Sequence, residues 1–327
     1  TTLTMNRRFF SLIEQRVPAK YISFTVDDLK YDSQLEFVNR IQTVLPLNPY
    51  YVKTVLKEYI KHIESSNEDT SDELYELYCD PDVLNSKELN PEQTDVIKYF
   101  ISGFNQQYSG DGKDTITIKE TPKLISGSNT TGLRTWEAAL YLSNFLNGKD
   151  SPPYNLKNKT VMEIGCGTGL VSLALAKNYH RKIDNIKRLI MTDGSSNVFD
   201  NLQETLRLNE LNDSSIIQCQ QLIWGENTTI EDDVDFLVAA DITYDTRILD
   251  PLCQTIQDLF ANNNLQFAVI AATVRNMDTI KEWELKLDVW FAGKWLVRAT
   301  ESDPHSIQSN CWFNVNTPQI RIYEIHV

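Results

Sequence analysis

Hydrophobic and polar positions follow two different periods along the chain. Between Pro49 and Ile63 the apolar residues recur every three or four positions, as on the buried face of a helix. Thr115–Lys119 instead alternates at period two, which predicts a strand, and Pro122–Ser126 could return beside it. We therefore expect three regions: a mainly helical domain over residues 1–110, a β-hairpin or linker over 111–130 and a second domain over 131–327.

Strands and helices alternate in the second region. Apolar runs rich in β-branched residues predict strands from Val161, from Arg188 to Thr192, from Ser215 to Leu222, from Val234 to Ala240 and from Phe267 to Ala272. Helical patterns occupy Ile248–Phe260 and Met277–Phe291. The apolar runs Trp295–Ala299 and Ile320–Ile325 have only a polar loop between them, as in an antiparallel pair. This order predicts an α/β fold with a doubly wound sheet and a C-terminal antiparallel hairpin.

A glycine-rich turn follows the first of these strands. Gly165, Gly167 and Gly169 occupy alternate positions before a helical sequence that starts near Val171. Because glycine has no Cβ, the backbone can bend sharply there and let a ligand lie against the peptide groups at the helix N-terminus. This pattern alone fits dinucleotides and adenosyl cofactors equally well.

Later strands also end in groups that could contact a ligand. Asp193 follows the second strand, where a carboxylate can accept both ribose hydroxyls or, alternatively, cap the next helix. Trp224 follows the third strand and Asp241–Tyr244 follows the fourth. Ligands of open α/β sheets bind beyond the carboxyl ends of the strands, so these groups should converge on one crevice.

Two further motifs reveal a family resemblance. Gly132–Ala139 reads G-L-R-T-W-E-A-A, and Asp241–Tyr244 reads D-I-T-Y. Together with Trp224 and the glycine turn, they resemble the seven-strand S-adenosylmethionine-dependent methyltransferases, specifically their protein lysine methyltransferase branch with its G-x-x-x-W-x-A-A and (D/E)-x-x-Y motifs. The resemblance spans about Thr130 to Tyr244 and is greatest to the elongation factor 2 lysine methyltransferases.

The resemblance implies a seven-stranded Rossmann-like sheet that binds S-adenosylmethionine. It assigns Gly165, Cys166 and Gly167 to the amino-acid and ribose portion, Asp193 to the ribose hydroxyls, Trp224 to the adenine, Trp136 to the other side of the pocket, Glu163 to an indirect polar contact with the methionine end, and Ala240 to backbone contacts beside the adenosyl group. For the two tryptophans, ordinary core packing is the alternative.

The implied reaction is an in-line attack by a neutral amine on a sulfonium methyl. A free lysine has a pKa of about 10.4, so it must lose a proton first. We expect Asp241 to receive and orient the lysine and to accept a proton, through water, and Tyr244 to line the transfer channel. A carboxylate also tends to raise the pKa of an amine, so ion pairing alone cannot be its role. The alternative is that Asp241 caps the following segment and Tyr244 packs.

Composition narrows the classes of partner. The net charge of −14 without a basic cluster argues against nucleic acid. No apolar stretch reaches the 18 residues that a membrane span needs. Five cysteines without a C-x-x-C pair suit a reducing compartment, and four scattered histidines (His62, His180, His305, His326) indicate no metal site.

Thr1–Phe10 has neither an initial Met nor the apolar core of a signal peptide, which indicates a trimmed chain. We expect a cytoplasmic monomer.

The sequence thus predicts a protein-lysine N-methyltransferase that acts on translation elongation factor 2 and recognises the folded substrate through its N-terminal region. Another elongation factor or a chaperone is the alternative substrate. A nicotinamide-dependent oxidoreductase is a further alternative, although Leu170 stands where G-x-G-x-x-G has its last glycine and the closing hairpin does not fit. The last alternative is a non-catalytic adaptor that keeps the fold for binding. The intact set of site residues argues against it, because such a protein would not require them.

Overall fold

The structure, a computed structural model, describes residues 7–101, 115–124, 131–147, 153–177, 186–226, 229–299, 307 and 311–326. The chain divides into two compact units, one of residues 1–99 with 119–125 and one of residues 100–118 with 126–327. The sequence analysis found no metal-ligand spacing among the four histidines. Two of them, His180 and His305, lie outside the described residues.

The first unit is mainly helical. Its helices are α1 (Arg7–Glu14), α2 (Val26–Leu29), α3 (Tyr31–Ile41), α4 (Pro49–Glu64), α5 (Asp72–Cys79) and α6 (Pro81–Leu84), with a 3-10 turn at Ala19–Tyr21. The Asn48 side chain accepts a hydrogen bond from the Tyr51 amide at the start of α4, and Pro49 fills the first helical position. The predicted stripe on α4 is confirmed as core, because Val52, Val55, Leu56, Tyr59, Ile60 and Ile63 are all buried.

A short sheet in this part of the chain corrects one expectation. Strand β2 (Ile116–Glu120) is present as predicted, but its partner is β1 (Asp95–Tyr99), which the sequence analysis did not predict. The proposed return strand at Pro122–Ser126 is wrong over residues 122–124, which form no strand. Pro122 has no N–H to donate to a ladder, and Thr121, the single residue between β2 and Pro122, leaves little room to reverse the chain.

The second unit contains a seven-stranded sheet, as predicted. Its strands are β3 (Thr160–Glu163), β4 (Arg188–Asp193), β5 (Ile217–Gln221), β6 (Phe236–Ala240), β7 (Phe267–Thr273), β8 (Trp295–Ala299) and β9 (Ile320–His326), in the spatial order β5-β4-β3-β6-β7-β9-β8. The pairings from β5 to β7 are parallel, and β9 runs antiparallel to both of its neighbours. The predicted C-terminal hairpin is therefore confirmed.

The topology places a crevice at the end of β3. The chain passes from β3 outward to β4 and β5, and then crosses to the other side of β3 to form β6 and β7. Ligands of doubly wound sheets bind where the strand order reverses in this way. Helices α7 (Glu137–Leu146), α8 (Leu170–Lys177), α9 (Ser196–Leu208), α10 (Leu249–Asn262) and α11 (Met277–Phe291) complete the unit.

In the part of the chain that the structure describes, no helix has both the length and the apolar character that crossing a bilayer requires.

A buried ion pair holds the first unit together. Both Asp95 carboxylate oxygens accept hydrogen bonds from the Arg16 guanidinium, at 3.0 and 3.1 Å. The Asn48 amide also donates to Asp95, at 2.8 Å. The side chains of Arg16 and Asp95 are 7% and 0% exposed, so loss of either partner leaves the other charged and buried.

We expect Asp95→Ala to lower the free energy of unfolding by about 3–5 kcal/mol, because it leaves the Arg16 charge without compensation. Urea unfolding followed by circular dichroism measures the change. Asp27→Ala is the control: it breaks the exposed ion pair with Lys30 and should change stability by less than about 1 kcal/mol. Equal effects of the two variants would contradict the structural role of the Arg16–Asp95 pair.

Candidate functional site

One cavity of about 390 Å³ opens at the carboxyl ends of β3, β4 and β6. All ten residues that the sequence singled out line it, namely Trp136, Glu163, Gly165, Cys166, Gly167, Asp193, Trp224, Ala240, Asp241 and Tyr244. The expected convergence of the strand ends is therefore present. The contacts of these residues with a ligand stay predictions.

The glycine turn has a backbone that other residues adopt rarely. Gly165, Gly167 and Gly169 have φ values of 60°, 51° and 85°. A Cβ on Gly165 would lie 2.7 Å from the Ile242 side chain, and one on Gly169 would lie 2.7 Å from the Met191 side chain. Glycine is thus required at both positions for its conformation and for its small size.

Cys166 anchors the turn to the neighbouring strand. Its amide donates to the Thr192 carbonyl at 2.8 Å, and its side chain is buried. Burial raises the pKa of the Cys166 thiol well above its usual range, and the nearby Glu163 and Asp193 carboxyls add to the rise. The thiol therefore stays protonated and is not a nucleophile at neutral pH.

Asp193 joins the glycine turn to the start of α9. Its Oδ2 accepts the Gly167 amide at 3.0 Å, and its Oδ1 accepts the Ser195 amide at 2.9 Å. Burial raises the pKa of Asp193, while these backbone N–H groups oppose the rise. Ser195 is the N-cap residue of α9, so Asp193 contacts the start of this helix without being its cap. Since a carboxylate offers about four acceptor positions, ribose hydroxyls can still donate to it.

Glu163 ends β3 and is almost completely buried. Its Oε2 accepts hydrogen bonds from the Ser172 amide, at 3.0 Å, and from the Ser172 hydroxyl. Burial raises the pKa of Glu163 to about 8, although both bonds from Ser172 favour the charged form. With this pKa, Glu163 is mostly neutral at pH 7.

Trp136 lies beside two cations at the cavity. Its indole N–H donates to the Thr131 carbonyl at 3.1 Å. The guanidinium carbons of Arg134 and Arg275 lie 4.6 and 5.5 Å from the centroid of its ring. Both distances are in the range of cation–π attraction. Trp136 is half-buried, so ordinary core packing does not describe its environment.

Trp224 has one apolar side and one side that faces the cavity. It is half-buried and packs against the large apolar core beneath the sheet. Its ring also lines the cavity beside the glycine turn, where a Cβ on Gly165 would come within 3.4 Å of it. Core packing and ligand contact are thus compatible for Trp224.

Asp241 and Tyr244 follow β6. The Asp241 carboxylate makes two hydrogen bonds to the Arg275 guanidinium, Nη1 to Oδ1 at 2.9 Å and Nη2 to Oδ2 at 2.6 Å. The capping role in this loop belongs to Asp245, whose side chain accepts the Arg247 amide. The Tyr244 side chain is 55% exposed at the edge of the cavity, so it is not packed in the core.

Arg275, the partner of Asp241, is a charged residue that the sequence analysis missed. It follows the end of β7 by two residues. The carboxyl end of β7 lies at the same edge of the sheet as those of β3 and β6, because the three strands are parallel neighbours. The strand-end rule that selected Asp193 and Asp241 could have selected Arg275 as well.

Among the described residues, no group of three or more His, Cys, Asp or Glu side chains could hold a metal ion. The groups that determine the chemistry of the site are the carboxyl, aromatic and guanidinium groups given above.

The raised pKa of Glu163 predicts a pH-dependent stability. The folded protein holds a proton on Glu163 up to about pH 8, whereas the unfolded chain releases it near the ordinary value of 4.5. Stability from this group is complete below pH 4.5 and is lost as the pH rises toward 8. Glu163→Gln keeps a neutral acceptor for Ser172 at every pH.

We therefore expect the melting temperature of Glu163→Gln, minus that of the unmutated protein, to increase between pH 5 and pH 8. Thermal unfolding of the ligand-free proteins at intervals of one pH unit measures this difference. Glu231→Gln changes an exposed glutamate of the same unit and should give a difference that is flat with pH. A flat difference for Glu163→Gln as well would show that Glu163 is ionised in the fold.

Comparison with known proteins identifies the family. Residues 113–283 match the family model described as lysine methyltransferase. Protein-lysine N-methyltransferase EFM3 of Saccharomyces cerevisiae is 31% identical to this chain, over 97% of the chain and 98% of the relative. EFM3 of Chaetomium thermophilum is 34% identical, over 74% of the chain and 73% of the relative. Human protein-lysine N-methyltransferase EEF2KMT is 29% identical, over 74% of the chain and 71% of the relative. With such a match along nearly its whole length, the chain belongs to the lysine methyltransferase family and is a protein-lysine N-methyltransferase.

Proposed function

We propose that this enzyme transfers a methyl group from S-adenosylmethionine to a lysine of translation elongation factor 2 in the cytoplasm, and that its helical N-terminal unit recognises the folded substrate. The observation that carries the proposal is the single cavity lined by all ten residues of the family pattern. The substrate follows from the sequence resemblance and from the human relative, which has EEF2 in its name. All five cysteines are free thiols, which suits a reducing compartment.

The residues of the cavity fit the proposed donor. A volume of about 390 Å³ is in the range of small-molecule sites. Asp193 has acceptor positions left for the two ribose hydroxyls, and the ring of Trp224 offers an apolar face to the adenine. Of the acidic side chains on the cavity wall, Asp193 is held by backbone N–H groups rather than by a cation, so its carboxylate favours a ligand that carries positive charge. When bound, this donor supplies an electrophilic methyl group.

Asp241 and Tyr244 occupy the position at which the lysine would arrive. Asp241 is held close to the cavity wall, and Tyr244 is exposed beside it. The carboxylate orients the amine by accepting its N–H groups, and the tyrosine ring and hydroxyl line the path of the lysine side chain. Positioning of the nitrogen on the axis of the bond to be broken supplies much of the rate.

The substrate is tested by incubating the purified chain with methyl-labelled donor and an extract of cells that lack their own copy of the enzyme. We expect one labelled protein, elongation factor 2, with the label on a lysine that mass spectrometry identifies. Asp241→Asn should lower the labelling at least about 100-fold. Asp250→Asn, which changes an exposed aspartate paired with Lys286, is the matched control and should retain it. Label on a different protein would contradict the substrate, and an active Asp241→Asn would contradict the catalytic assignment.

The donor site is tested through Asp193. We expect Asp193→Asn to weaken donor binding about 10- to 100-fold, because two hydrogen bonds from ribose hydroxyls lose a charged acceptor. Isothermal titration calorimetry with S-adenosylmethionine and with its demethylated product measures the affinity without any substrate protein. Asp200→Asn, on the exposed side of α9, is the control. Unchanged affinity of Asp193→Asn would remove Asp193 from the donor site.

A further inference from the structure

Arg275 holds the Asp241 carboxylate in one orientation. The two side chains meet end to end, with one guanidinium nitrogen on each carboxylate oxygen. This two-point geometry fixes the plane of the carboxylate as well as its distance. The Asp241 backbone is in the left-handed region, with φ 59°, and its amide donates to the Ala271 carbonyl at 2.8 Å. The carboxylate is therefore fixed by contacts to the end of β7.

Arg275 is itself held on its other side. Its guanidinium lies 5.5 Å from the ring centroid of Trp136. Burial by itself lowers the pKa of Arg275, but the hydrogen bonds and charge of Asp241, together with the charge of Glu137, leave the pKa raised. Arg275 is thus a permanent cation in contact with both a proposed catalytic group and a proposed donor-site residue.

An isolated carboxylate would oppose the reaction. A negative charge beside the incoming lysine raises the pKa of its amine, whereas attack on the methyl group requires the neutral amine. A cation on the far side of the same carboxylate offsets that effect. Asp241 and Arg275 together present nearly zero net charge while the carboxylate oxygens still accept hydrogen bonds.

We propose that Arg275 is a positioning residue of the methyl-transfer site, which orients the Asp241 carboxylate and offsets its charge so that the substrate lysine can lose its proton beside it. This inference rests on the proposed function of Asp241 as the lysine acceptor. The pair leaves room for the lysine, because Arg275 uses two of about four acceptor positions on the carboxylate.

The resulting step is balanced. The lysine ammonium first releases a proton to water. The nitrogen lone pair then forms the N–C bond to the methyl group of the sulfonium donor, and the electron pair of the broken C–S bond stays on sulfur. Arg275 neither gives nor takes a proton in this sequence.

Other ionisable groups surround the same cavity. Those on its lining are Arg134, Glu163, Cys166, Asp193 and Tyr244, and Glu137 lies at the start of α7 near Arg275. The Asp245–Arg247 pair lies in the loop after Tyr244. These groups are common to the unmutated protein and to the Arg275 variants, so the difference between their pH profiles isolates Arg275.

The test measures kcat for the labelled substrate protein from pH 6 to 10.5 at saturating donor. We expect Arg275→Gln to move the midpoint of the rise in kcat upward by about one pH unit, since Asp241 then acts on the lysine with its full charge. At pH 7.5 the loss should be about tenfold, and most of it should be recovered at high pH. Arg275→Lys should keep the midpoint and lose kcat a few-fold at every pH, because one ammonium cannot hold both oxygens.

Two further variants make the test decisive. Arg275→Met is a second neutral replacement, and thermal unfolding selects whichever neutral variant folds; the Arg275 side chain is 42% exposed, which favours tolerance. Asp241→Asn, assayed in the same way, should move the midpoint of the rise in kcat downward, because the Arg275 charge then acts on the lysine without the carboxylate that balances it.

An unshifted midpoint in a folded neutral variant of Arg275, or an upward shift of the midpoint in Asp241→Asn, overturns the inference. If the unmutated enzyme labels no protein, the proposed function fails and this inference fails with it. An active unmutated enzyme with an unshifted Arg275→Gln profile overturns the role of Arg275 alone.

Discussion

The left-handed backbone of the turn after β3 is the constraint on which the rest of the site depends. Three glycines in five residues adopt it, and the side chains of Ile242 and Met191 fill the space where a Cβ would be. Because the turn is this tight, the Gly167 amide reaches Asp193 at the end of β4, and α8 begins close enough for Ser172 to reach Glu163. Two carboxyl groups from adjacent strands are thereby fixed on one wall of the cavity.

The electrostatic potential in the cavity depends on which partner, a cation or a hydrogen-bond donor, stabilises the charge of each carboxyl group. Asp241 has a cation as partner, Asp193 has backbone N–H groups, and Glu163 has a serine hydroxyl and an amide. Burial raises the pKa of Glu163 to about 8 and also raises that of Asp193, because neutral dipoles compensate the burial of a carboxylate only in part. The proton that Glu163 keeps limits the negative charge of the cavity wall, and a positive charge beside Glu163 would favour its loss.

Much of the site could be predicted from sequence, because strand ends are local signals. Asp193, Trp224 and Asp241 each follow an apolar run that reads as a strand, and parallel neighbours bring such ends together. Features that depend on distant partners could not be predicted. The buried ion pair of Asp95 joins it to Arg16, 79 residues away, and β1 finds its partner across a long separation. The strand-end rule could have selected Arg275 as a candidate, but its contact with Asp241 became evident only from the packing of β6 against β7.

The position of β9 has a consequence for how the enzyme is made. This strand follows β8 in the chain but lies between β7 and β8 in the sheet. During synthesis, β7 and β8 therefore leave the ribosome before the strand that must separate them. Until Ile320–His326 emerges, β7 presents an unpaired edge, which is a known site for wrong association between chains. The seven-stranded sheet is thus completed by the last strand of the chain that the structure describes.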